Sequence, residues 1–510
     1  MRFVLKSLLA NLDVSLVSGD SCYPTGSPFD PPELYPEYPH KQRSTDPANH
    51  VYKLVRDSFR LLGMDKANFG RPEWNPLGEL ISRGQRVLIK PNFVLHYNAG
   101  PGPLEAVITH PSVIRAVCDY VIIALADDGE LVIGDAPQMN CDFASLCQTS
   151  GMNTLASFLE SACALRGISL RLVDFRKEQT RYKHGIVWER KPLNNGGSIQ
   201  VCLDKSSSMD EIDGRLLYGA DYSRRETVQA HEAHRHEYVV AREVLSSDVV
   251  ISVAKLKVHR KVGATLNLKN MVGINTDKNH LAHYRVGSKA NGGDEFSDPG
   301  WADRAERMLS DILLGRWWPY GKYPFLGWRA FRKALGSFAG SSRPTFSYGN
   351  WHGNDTAWRM VLDLNRILLF AGPDGRLQNE PARRYFSVID GVIGGEGEGP
   401  LHPTAFPSGI VLAGFNPVAV DWLAARLMGF DAFRIPLYRH ALDQMREFVP
   451  GFTIEQIRPL SNVPRLKTIM TTRDVVFNFR ASAGWRGHIE LEQPLPESQP
   501  VEAAVGMISQ

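Results

Sequence analysis

The 510-residue chain carries 58 Lys and Arg against 55 Asp and Glu, a formal charge of +3, with 43% hydrophobic and 22% charged residues. These proportions exclude wholesale disorder and give no basis for bulk nucleic-acid binding. No apolar run reaches the roughly 18 residues that a membrane-spanning helix needs.

Residues 1–75 are rich in Pro, Tyr and Asp (PFDPPELYPEYPHK) and read as an irregular arm with one short helix near 51–62. The start, MRFVLKSLLANLDVSL, is broken by Asn11 and Asp13, so no signal peptide is expected and a cytoplasmic location is the default. A strand at 86–90 ends at Pro91, which cannot continue a central ladder. Pro111 suits a first helical position, and Val113, Ile114, Val117, Val121 and Ala124 then recur at helical spacing. A strand at 131–134 follows, with Asp135 just past its end, then a helix over about 144–166 and a strand at 169–173. This alternation predicts a parallel sheet covered by helices.

Residues 176–240 read as an insertion. The continuously apolar run 248–253 reads as a buried parallel strand. Residues 301–350 form a second insertion. A further α/β part spans 351–475, with strands at 367–370, 386–389 and 409–413 and a helix at 417–428. Residues 476–510 read as a polar tail. The expected fold class is therefore α/β, with mostly parallel sheets flanked by helices, in two lobes (76–300 and 351–475) with insertions.

The chemistry concentrates at strand ends, where open α/β sheets bind ligands. After the run 248–253 come Lys255, Lys257 and His259, then Lys269 and Asn270, then His283. Such a cluster must be hydrated or engage anions, with phosphate or carboxylate as natural partners; a solvated basic face is the alternative. Lys90 and Asn92 mark a second strand end, Asp135 a third. Asp135 suits a metal, a ribose hydroxyl, a lysine or a helix cap. Asp390 enters a Gly-rich loop holding Glu396 and Glu398, which matches neither G-x-G-x-x-G nor a Walker loop. These acids suit a divalent cation, or they pair with the lysines.

Asn416 is placed to cap the helix after it. His231, His234 and His236 form a metal-like tract or a solvated segment. Asp355 is a candidate cap for a helix at 358–364, and His352 lies beside it. The span 312–338 mixes Trp317, Trp318, Tyr320, Tyr323, Phe325, Trp328 and Phe331 with five cations. It reads either as a surface element for a membrane interface or ligand, or as an insertion packing its aromatics inward with its cations in water.

In order, the blocks 87–92, 109–111, 132–135, 248–259, 268–273, 388–391 and 412–421 resemble the domain of unknown function 362 family, some of whose members carry a ferredoxin module. The likeness spans about 86–430. The six cysteines form no C-x-x-C pair, so no protein-bound iron–sulfur cluster is expected. A fainter likeness to lactate-racemase-like proteins rests on Lys255, Lys257, His259 and Lys269, with Val258 where that family has Pro.

The functional expectation is an enzyme acting on an anionic small molecule in a crevice between the two lobes. Lys257, Lys269 and His259 are its catalytic candidates, with His259 as general acid/base because its ordinary pKa is near 6.5. Lys90, Asn92, Lys255, Asn270 and His283 are the substrate-binding candidates. Asp135, Asp390 and Glu396 would hold a divalent metal, the one candidate cofactor. The competing expectation is a non-catalytic binding or assembly protein that docks on a membrane surface or partner through 312–338.

Overall fold

The computed structural model describes residues 2–41, 44–219, 223–297, 301–317, 320–336, 346–449, 451–472 and 474–492. Ten strands build one sheet: β1 (Asp13–Ser18), β2 (Arg86–Pro91), β3 (Gly129–Asp135), β4 (Ile168–Asp174), β5 (Val249–His259), β6 (Gly263–Thr265), β7 (Arg384–Glu398), β8 (His402–Phe406), β9 (Ile410–Gly414) and β10 (Arg458–Ser461). The order is β10-β1-β9-β7-β5-β2-β3-β4, with β6 paired to β5 and β8 to β7. Neighbours from β7 through β5, β2 and β3 to β4 are parallel. β9 runs antiparallel to β7 and β1.

The α/β class with mostly parallel strands therefore stands, but the strands assigned to two lobes pair in a single sheet. β5 and β7, which would have belonged to different lobes, are adjacent over most of their length. Two hydrophobic cores cover the two faces. One holds the helices His50–Leu61, Pro111–Leu125 and Met152–Ala164 against Val87, Ile89, Val249, Ile251 and Val253. The other holds Ala357–Phe370, Pro417–Leu427 and the turn around Asn267–Asn270 against Leu88, Val132, Val250 and Ala254. Strand alternation explains the split, since odd and even positions of one strand face opposite sides.

Several local expectations change. The arm contains β1, an interior strand whose Val14 and Leu16 are fully buried. The helix expected over 144–166 is two, Phe143–Thr149 and Met152–Ala164, broken at Gly151, whose φ of 80° favours glycine. The strand expected at 367–370 is the end of the helix Ala357–Phe370, because its apolar positions continue the helical period of Trp358 and Val361. The part of the expected polar tail that is described packs inward: Phe479, Trp485 and Ile489 are buried, and Trp485 Nε1 donates to the Arg260 carbonyl. Residues 493–510 of that tail lie outside the described residues.

In the aromatic/basic insertion most described aromatics face outward, against the inward-packed alternative, while Arg316 and Lys333 are exposed as that alternative expected. The helix Lys322–Gly336 points Arg329 and Arg332 at Glu306 and Asp303 of the helix Trp301–Ser310. Phe325 is buried, while Trp317, Tyr320, Tyr323 and Phe331 are exposed. Trp318 and residues 337–338 lie outside the described residues. Among the described residues no helix is long and apolar enough to cross a membrane.

Candidate functional site at the strand ends

The carboxyl ends of β2, β3 and β5 and the middle of β7 gather two buried polar nests, one on each face of the sheet. Lys90 pairs with Ser252 in the β2–β5 register, so both point to the same face. There Lys90 Nζ lies 2.7 Å from Asp135 Oδ1 and donates to Asn270 Oδ1 at 3.1 Å. Asn270 Nδ2 returns to the Lys90 carbonyl and to Ser252 Oγ, and Asn92 Nδ2 donates to Asn270 Oδ1 at 3.2 Å. The Phe93 amide donates to Asp135 Oδ2 at 2.6 Å. Burial lowers Lys90 and raises Asp135, and each ion opposes the shift of the other. Gly273 closes this nest. A Cβ there would lie 1.9 Å from Asp135 Oδ1 and 2.6 Å from Lys90 Nζ.

Lys255 pairs with Asp390 in the β5–β7 register and points to the other face. Its Nζ lies 3.1 Å from Asp390 Oδ2 and 2.7 Å from the Tyr23 hydroxyl, which donates to Asp390 Oδ1 at 2.5 Å. The His110 amide donates to Asp390 Oδ2, and the His110 ring stacks on Tyr23 with centroids 4.0 Å apart. Burial, with Lys255 adding to it, holds His110 down at about 3, so this imidazole stays neutral.

Beyond these nests lie Lys257, Lys269 and Lys278. Among the described residues none of the three has a carboxylate within ion-pair distance. Lys257 Nζ donates to the Val107 carbonyl, Lys278 Nζ to the Val272 carbonyl at 3.3 Å, and Lys269 Nζ has no hydrogen-bond partner among the described residues. Lys257 and Lys278 are buried; Lys269 is partly exposed. Burial lowers Lys257 strongly, with Lys255 and Lys269 adding to it. Burial and the ammonium groups of Lys261 and Lys90 pull Lys269 down to about 7, against Asp135. Lys278 is likewise lowered by burial to about 7, Asp135 again opposing.

Two histidines complete the cluster. Both are pulled well below 6.5 by burial and by neighbouring lysines. His259 Nδ1 accepts from the Lys261 amide at 3.0 Å, so the proton of its neutral ring sits on Nε2. His259 is thus a hydrogen-bond donor at rest, which corrects the expectation of a general acid/base titrating near 6.5. His283 Nδ1 faces the Leu281 carbonyl at 2.9 Å and must carry the proton, which leaves the lone pair on Nε2.

The expected metal set does not assemble. Asp135 and Asp390 are each engaged by a lysine on opposite faces, and Glu396 accepts from the Arg480 amide at 2.9 Å and pairs with its guanidinium. Among the described residues no group of three His, Cys, Asp or Glu side chains could hold a metal ion. The expected crevice between two lobes is instead a region at the ends of central strands of one sheet. Asn416 is a helix cap, its side chain accepting from the Val418 and Ala419 amides. Asp355 does not cap its helix. Asn354 does, and Asp355 accepts from the Trp358 indole. His231 contacts the His280 carbonyl, His234 pairs with Asp210, and His352 stacks on His488.

Sequence reasoning missed Tyr23, His110, Gly273 and Lys278. Lys278 lies between Asn270 and His283 in the same stretch, and its signal was the same as that of Lys269. Asp421, buried in the helix Pro417–Leu427, accepts from the Asn267 and Leu268 amides and so fixes the turn that carries Lys269 and Asn270. A cavity of about 1820 Å³ lies to one side, lined among others by Tyr218, Tyr284, Glu295, Arg307 and Tyr348. Lys261 lies between, its Nζ on the Tyr348 carbonyl and 5.2 Å over the Tyr284 ring. The cavity is therefore a neighbour of the lysine cluster and not its container.

The family model described as Domain of unknown function (DUF362) matches residues 87–184 and 186–426. The chain belongs to this family. Both DUF362 stretches together contain every lysine of the cluster and both of its carboxylates, whereas Tyr23 precedes them. No curated protein matches the chain. A solved structure of a protein from Thermotoga maritima is similar at 10% identity and a TM-score of 0.28, over 72% of this DUF362 chain and 57% of that one. The chain thus spans little more than half the length of that relative. The comparisons add nothing to the lactate-racemase likeness.

Proposed function

We propose that the strand ends of this protein bind a small molecule bearing a carboxylate or phosphate and carry out acid–base chemistry on it. One observation carries the reading: Lys269 acts on both Lys257 and Lys278, and among the described residues none of the three has a carboxylate within ion-pair distance. Buried ammonium groups are costly unless paired. Asp135 and Asp390 are already matched to Lys90 and Lys255. An incoming anion would supply the missing charge, raise the depressed lysines and gain strong charge-assisted hydrogen bonds. His259 Nε2–H would donate to the ligand, and His283 Nε2 would take a proton from it.

The test is thermal unfolding of the full chain across a series of phosphates and carboxylates. Stabilisation by an anion, lost in Lys257→Met and Lys278→Met, is the expected result. Equal curves with and without every anion would dismiss the reading.

A second reading rests on the exposed Trp317, Tyr320, Tyr323 and Phe331. Exposed aromatic rings in the helix Lys322–Gly336 and in the segment just before it, close to cations, suit a membrane interface. Co-sedimentation with phosphatidylserine vesicles, weakened in a Tyr320→Ser/Tyr323→Ser/Phe331→Ser variant, is its expected outcome. Binding unchanged by that variant would reject it.

A further inference from the structure

The lysines of the cluster differ in one respect that decides their chemistry. Lys90 and Lys255 are locked into ion pairs. Lys257 and Lys278 are buried and hydrogen-bonded to carbonyls. Lys269 alone among these five is partly open to solvent and has neither an ion pair nor a hydrogen bond among the described residues.

Its surroundings are cationic. Lys261, Lys90, Lys257 and Lys278 all act on it or are acted on by it, with the neutral His259 and His283 beside them and Asp135 as the opposing charge. An amine held among other ammonium groups gives up its proton readily and becomes nucleophilic near neutrality. The backbone that carries Lys269 is pinned: Asp421 accepts from two amides of its turn, and Asn270 is tied to Lys90 and Ser252. The turn that presents this side chain is therefore fixed at its backbone.

We propose that Lys269 forms an imine with a carbonyl compound whose anionic group is attracted by the lysines around it, Lys257 or Lys278 among them. This rests on the anion-binding reading above and adds the substrate class, a carbonyl next to a carboxylate or a phosphate. In the step the Lys269 nitrogen bonds to the carbonyl carbon. The oxygen leaves as water, taking both hydrogens of the neutral amine. His283 Nε2 accepts a proton from the carbinolamine nitrogen, and the proton is returned to the departing oxygen. His259 Nε2–H stabilises that oxygen before it leaves. No oxidant or reductant is required.

The test uses the full chain at pH 7.5 with two probes in separate arms, pyruvate and glycolaldehyde phosphate, each fixed by borohydride and mapped by peptide mass spectrometry. A reduced adduct confined to Lys269 is expected, absent in Lys269→Arg and diminished by inorganic phosphate. The arm that reacts names the anionic group. Labelling spread over exposed lysines such as Lys6 and Lys66, or no labelling at Lys269 in either arm, overturns the imine. Thermal stabilisation by phosphate, measured on the same preparation, separates the two failures: if it persists, the anion site stands without the imine, and if it is absent, both fall. Should Lys269→Arg not fold, competition by phosphate on the unmodified chain decides the same question.

Discussion

Lys255 Nζ and Asp390 Oδ2 stand 3.1 Å apart on adjacent parallel strands, and neither side chain is exposed to solvent. Tyr23 bridges them through its hydroxyl, from a segment more than two hundred residues away in the chain. Removing one member of such a pair strands the other charge in a medium that cannot solvate it. Asp390→Asn should therefore lower stability by about 3–5 kcal/mol. Lys255→Met combined with Asp390→Leu should recover much of that loss, because the isolated charge is gone. Urea denaturation of the two variants beside the unaltered chain checks both statements.

Gly273 is a steric requirement of the opposite nest. A methyl group there would meet Asp135 Oδ1 at 1.9 Å and Lys90 Nζ at 2.6 Å. Gly273→Ala should cost about 1–3 kcal/mol by overpacking. It should also displace the Lys90–Asp135 pair and weaken anion binding. Unfolding curves with and without phosphate measure the two effects separately.

The depressed lysines set a pH dependence with a defined sign. Lys269 and Lys278 titrate at about 7 in the folded chain, against about 10.4 when unfolded. Between these values the unfolded chain binds more protons, so their contribution to stability rises with pH over that window. Below about 7 both states are protonated and the full burial penalty applies. Anion binding requires the ammonium form and runs the other way. The stabilisation conferred by phosphate should shrink from pH 7 to pH 9, as titration calorimetry at stepped pH would record.

The two cluster histidines should differ in tautomer. His259 should carry its proton on Nε2 and His283 on Nδ1, both remaining neutral to well below pH 6.5. Nitrogen-15 NMR of the imidazole rings distinguishes the two forms. An imidazolium signal from either residue at pH 7 in the anion-free chain would contradict the arrangement.

Much of the sheet was legible because buried parallel strands announce themselves as short apolar runs. β2, β3, β4 and β9 fall within two residues of expectation, and β5 extends beyond it to carry Lys255, Lys257 and His259. β1 was not legible: Asp13, Ser15 and Ser18 dilute its apolar signal, and only the strands on either side explain its burial. The lysine cluster was legible as residue types beyond a strand end. Its division between two faces was not, because that follows from strand register, which local spacing does not reveal. Of the alternatives open to the acids, Asp135 and Asp390 take the pairing with lysines, and which lysine each meets follows only once β2, β3, β5 and β7 lie side by side. Gly391, Gly394 and Gly395 read as part of a Gly-rich loop, yet they lie within β7, and Gly395 serves backbone packing, its missing Cβ admitting the Ala106 carbonyl and Lys257.

The position of β1 carries a consequence for how the chain is divided. The DUF362 match begins at residue 87, but the strand Asp13–Ser18 is clasped between Ile410–Gly414 and Arg458–Ser461 in the same sheet. A fragment trimmed to the matched region would expose the raw edge of β9 and discard the phenol that joins Lys255 to Asp390. The region matched by the family model and the region that completes the sheet therefore differ in length, and expression boundaries should follow the second.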